Sequence, residues 1–114
     1  MTDEVHAGSW RAMGCAVDVV VVGGSPDLLY LARTSIDHLE RRWSRFLPES
    51  DISRLNRAAG SSLPIDPATL VLVQSMLDGW RATTGAFDPT LLAPLVGLGY
   101  GASWHDPTSV TSLP

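Results

Sequence analysis

The chain has 114 residues, of which 45% are hydrophobic and 18% charged, and its formal net charge is −4. That length is one domain's worth of chain, able to bury roughly 65% of its unfolded surface around a core, and the composition excludes intrinsic disorder. With an acidic balance and no basic block, nucleic acid is excluded as a partner; all eight basic residues are Arg, which excludes lysine-dependent Schiff-base, phosphate-loop and general-base chemistry.

Cys15 is the only cysteine, so neither an internal disulfide nor a thiolate zinc cluster can form. His6, His38 and His105 lack metal-ligand spacing. Residues 1–6 are acidic, with no apolar leader and no lipobox leader ahead of Met13-Gly14-Cys15, and the run 16–22 is too short to span a bilayer. These features point to the cytoplasm and away from a membrane.

In chain order, residues 1–8 read as a tail, residues 9–13 as a short strand and Gly14 as a bend. The β-branched run from Cys15 to Val22 is a mostly buried strand whose Asp18 marks a wetter face. Ser25, Pro26 and Asp27 start a helix, and Leu28, Ala32, Ile36, Leu39, Trp43 and Phe46 form its core stripe, with an Asp37–Arg41 pair on the solvated side. Pro48 ends it. Ser50 then caps a helix over residues 51–58, and Asp66 caps another beginning at Pro67, with Leu70, Val73, Leu77 and Trp80 as the buried stripe. A short apolar helix follows over residues 91–98, and residues 102–114 read as a loop or frayed tail.

Three stretches at element boundaries carry the candidate chemistry. At Met13-Gly14, glycine allows close backbone approach and methionine offers adaptable apolar surface. Residues 44–56, Ser-Arg-Phe-Leu-Pro-Glu-Ser-Asp-Ile-Ser-Arg-Leu-Asn, place an aromatic beside a helix cap and several short polar side chains. In residues 84–90, Thr-Gly-Ala-Phe-Asp-Pro-Thr, Gly85 closes a helix in the left-handed conformation. Asp88 then caps the next helix with Pro89 at its first position, aiming free N–H groups at a ligand. Asp-Pro recurs at Asp66-Pro67 and Asp106-Pro107, so taken alone the pair is capping chemistry.

In this order and spacing, the three stretches resemble the N-terminal part of the FAD:protein FMN transferases, the ApbE-like flavin transferases, over residues 9–101. The resemblance implies an α+β fold, a short strand pair followed by helices that is incomplete without the C-terminal part. It implies a magnesium-dependent transfer of FMN from FAD to a Thr or Ser hydroxyl of a target flavoprotein, with release of AMP. It also assigns FAD contacts to Met13, Phe46, Ala86, Phe87 and Asp88. Where many relatives have Thr and Tyr, this chain has Cys15 and Phe46. The family's Asp-Gly-Gly, Lys-Gly and Gly-Gly-Asp segments, and its magnesium-holding Asp and Thr, have no counterpart in these 114 residues. The resemblance therefore assigns no catalytic or metal residue here. It implies a chain inactive by itself, with a C-terminal half in trans or a homo-oligomer as partner. The alternatives are a non-catalytic flavin-binding or interaction module, and a remnant without activity.

Overall fold

The computed structural model describes residues 3–111 and 113; Met1, Thr2, Ser112 and Pro114, parts of the two expected tails, lie outside the described residues. The fold is α+β. A hairpin of β1 (Val5–Ala12) and β2 (Cys15–Val22) is followed by α1 (Asp27–Trp43), α2 (Asp51–Ala58), α3 (Pro67–Ala82) and α4 (Leu92–Gly97). The chain divides into two units, Met1–Arg41 and Arg42–Pro114.

In the first unit the strands pair antiparallel, Val5 opposite Val22 through Ala12 opposite Cys15. β1 begins at Val5, four residues earlier than expected. Met13 and Gly14 both have positive φ, 53° and 72°, so they are the two central residues of a type I′ turn, whose twist matches that of the strands. His6, Gly8 and Trp10 occupy the more covered face, where Leu29 sits close to Gly8 and the Arg33 guanidinium lies 5.7 Å from the Trp10 ring centre. On the opposite face the Ser9 hydroxyl donates to Asp18 at 2.6 Å, the wetter face expected around Asp18. Along α1, Arg33 pairs with Asp37 at 3.9 Å.

In the second unit the caps follow the sequence. Ser50 accepts from the Ser53 N–H and Asp66 from the Ala68 N–H, starting α2 and α3 where Ser/Asp and Pro place them. Ala102 bridges Val110 around a turn at Asp106, a closing element that the expected loop lacked.

The expected apolar core does not form. Among the described residues Ala12 is the only buried hydrophobic, while Ser50, Asp51, Ser53 and Thr69 are fully buried. The stripes meant for a core stay wet: Leu28 is 44% exposed, Leu70 50%, Trp80 46% and Val20 60%. The chain should therefore self-associate at micromolar concentration and bind a hydrophobic dye; light scattering from a monomer that binds no dye contradicts this.

Candidate functional site

α1 ends at Trp43, so Phe46 lies outside the helix, in a turn tied by serines. The Ser50 hydroxyl donates to the Ser44 carbonyl at 2.6 Å, the Ser53 hydroxyl to the Arg45 carbonyl at 3.2 Å, and the Phe46 N–H to the Ser44 hydroxyl at 3.3 Å. These bonds satisfy polar groups on the short chain reversal between α1 and α2 and hold Arg45 and Phe46 in place. The Arg45 guanidinium covers one face of Phe46, 4.2 Å from the ring centre, and donates to the Tyr100 carbonyl at 2.7 Å. A flat ligand ring has only the other face of Phe46 to stack on.

The residue that locks this region is Asp51, which sequence reasoning treated as an ordinary member of its motif. Fully buried, it accepts from the Asp66 N–H at 2.9 Å and the Thr69 hydroxyl at 2.7 Å. It also pairs with Arg42 at 3.7 Å and Arg54 at 3.4 Å. Burial pushes its carboxyl up, but the Thr69 hydroxyl, the Asp66 N–H and the two guanidiniums outweigh burial and hold it below the usual carboxylate range. One side chain thus joins the end of α1, the start of α2 and the start of α3. An acid one residue after a serine cap usually marks a solvated helix start, so nothing in the sequence signalled this burial.

Residues 83–90 fold back on the end of α3. The Gly85 N–H bonds to the Trp80 carbonyl at 2.9 Å and the Thr84 N–H to the Arg81 carbonyl at 3.2 Å, which puts Thr84, φ 52°, at the left-handed position expected of Gly85. Gly85 is left-handed as well, φ 84°. A β-branched residue in that conformation costs about 1–2 kcal/mol. The Thr83 hydroxyl accepts from the Phe87 N–H at 2.9 Å, and the Phe87 ring lies so close to Gly79 that an added Cβ would sit 3.1 Å from it. Gly79 inside α3 is thereby explained: it makes room for Phe87. Ala86 and Phe87 are exposed at this turn.

Asp88 does not cap α4, which starts at Leu92 without a side-chain cap. Its Oδ1 instead accepts from the Thr90 N–H at 2.8 Å and hydroxyl at 2.6 Å, bonds that hold the carboxyl below the usual range. Asp106 does the same with Thr108, at 3.1 and 2.6 Å. The Asp-Pro-Thr turn is thus a local structure found twice, and what separates Asp88 from Asp106 is its surroundings. Asp88 lines a groove of about 490 Å³ together with Trp43, Arg45, Asn56 and apolar side chains of α2, α3 and α4.

Among the described residues that line the groove, Arg45 is the one cation and Asp88 the one carboxylate. The Trp43 indole N–H is buried with no acceptor among the described residues. Of the residues assigned to flavin, the groove takes in Asp88; Phe46 adjoins it through Arg45, and Ala86 and Phe87 lie on the turn just before Asp88. Met13 belongs to the first unit, 48% exposed at the hairpin tip, with its N–H donating to Glu40 at 3.0 Å.

No match was found among curated proteins or among solved structures. The model of the ApbE family matches residues 13–111, which take in the hairpin tip, residues 44–56 and residues 84–90. With most of its length matched in this way, the chain belongs to the ApbE family, the flavin transferases.

Proposed function

We propose that the chain is the flavin-contacting, N-terminal portion of a FAD:protein FMN transferase, which moves FMN from FAD to a Thr or Ser hydroxyl of a target flavoprotein. The observation that carries this reading is the groove of the second unit, apolar walls with a few fixed polar groups at a volume usual for small-ligand sites. There Asp88 is already oriented by Thr90, so it can accept from a ring N–H or a ribose hydroxyl without first being ordered. Phe46, half-buried under the Arg45 guanidinium, is proposed to stack on the flavin, and Met13, Ala86 and Phe87 are further proposed contacts.

Among the described residues, no three His, Cys, Asp or Glu side chains come together as a ligand set for magnesium. The alternative reading is a flavin-binding module without catalysis. Both readings predict that FAD binds the lone chain weakly, above micromolar, with no dependence on magnesium. Trp43 in the groove should report binding by quenching. The double substitution Phe46→Ala, Asp88→Ala should abolish saturable quenching; equal quenching in the double variant removes the proposed site. Asp88 is half-buried and its hydrogen bonds stay within its own turn, so its substitution should change the melting temperature little.

A further inference from the structure

Arg45 has no role in the flavin contacts that the family resemblance assigns, yet among the described residues it is the only cation lining the groove. We propose that Arg45 grips the phosphate oxygens of the flavin nucleotide; the inference rests on the flavin reading above and adds the group that recognises the ligand's anionic part.

Three observations carry it. First, Arg42 and Arg54, on the helices before and after this turn, pair with Asp51, and Arg42 also with Asp66, whereas Arg45 contacts a carbonyl oxygen and an aromatic face, neither of which cancels its charge. No ion pair joins it to Asp88 among the described residues; the Asp88 Oδ1 is held by Thr90 instead. The groove therefore keeps a positive pole and a negative pole apart.

Second, the guanidinium is held in place. The Tyr100 carbonyl takes one Nη1 hydrogen and the Phe46 ring fixes the plane, which leaves donors on Nη2 and Nε for an oxyanion in the fork geometry that suits phosphate. Third, it is half-buried, and burial lowers its pKa from the ordinary value. An incoming oxyanion meets a charge less screened than on an open surface. A dinucleotide fits both poles: phosphate oxygens at Arg45, and a ring N–H or ribose hydroxyl at Asp88.

The test titrates the wild-type chain, Arg45→Gln and Arg45→Lys with FAD, FMN, riboflavin and inorganic pyrophosphate, flavins by Trp quenching and pyrophosphate by calorimetry. Arg45→Gln should weaken FAD, FMN and pyrophosphate about tenfold or more and leave riboflavin, which has no phosphate, within about twofold. Arg45→Lys should recover part of the loss. Raising the salt concentration should weaken FAD binding in the wild type and have little effect in Arg45→Gln. Equal weakening of riboflavin and FAD would show that Arg45 only packs the groove and overturn the proposal, as would flavin binding untouched by the substitution, with the flavin reading left standing. Pyrophosphate bound through Arg45 with no flavin bound would keep Arg45 as an oxyanion site and remove the flavin reading; no ligand bound at all removes both.

Discussion

Asp51→Ala should destabilise the second unit by about 3 kcal/mol, the low end of the range for breaking a buried ion pair, since the guanidiniums of Arg42 and Arg54 are 41% and 34% exposed and can be rehydrated. The Asp66 N–H and the Thr69 hydroxyl lose their acceptor in the same step, and Thr69 is fully buried. Urea unfolding followed by circular dichroism measures the loss; a change under about 1 kcal/mol would show that Asp51 is incidental. The pH dependence has a definite sign. The folded carboxyl titrates below its unfolded value of about 3.9, so its contribution is complete above that pH and disappears as pH falls through the folded pKa. Helical signal should thus be lost on acidification below about pH 4, and the Asp51→Ala variant should show a shallower acid dependence.

The second large effect concerns transfer. The lone chain should form no FMN adduct on any acceptor, because breaking a pyrophosphate linkage at a hydroxyl needs a group to take up developing charge and a base to remove the hydroxyl proton. Loss of even one electrostatic element typically costs ~10²-fold or more. Asp88 is a poor base: the Thr90 hydroxyl and N–H hold its carboxyl below the usual range. There is no lysine to substitute for it. Adding a polypeptide that carries the family's C-terminal segments should produce magnesium-dependent adduct, and Asp88→Ala should reduce it. The assay follows the mass of a purified acceptor incubated with FAD and magnesium, with and without the second chain. Adduct made by the lone chain overturns the assignment of the transfer chemistry to the other half.

Local chemistry alone determined much of this protein. Ser50 and Asp66 start α2 and α3 at the predicted residues because a side-chain oxygen bonding an N–H two or three positions on is a property of four residues, wherever the helix then packs. β2 runs from Cys15 to Val22 as its β-branched run requires. The family, too, was legible from short motifs.

Tertiary structure decided the rest, and where local rules failed the cause was long-range. The stripe Leu70, Val73, Leu77 and Trp80 has the period of a core-facing helix, but burial needs an opposing surface, and Leu70, Leu77 and Trp80 remain 50%, 42% and 46% exposed. The burial went to Asp51 and Thr69 instead, 18 positions apart, whose hydrogen bond depends on where α2 and α3 lie. Asp88 had the signature of a helix cap, yet Thr90 supplies a closer partner and α4 starts four residues beyond it. Arg45 is an unremarked basic residue in the sequence; the stack on Phe46, the bond to Tyr100 55 positions away and the groove make it a candidate for binding. Hydrogen bonds within a turn are written in adjacent residues, whereas burial and the grouping of charges around a groove exist only once distant segments have met.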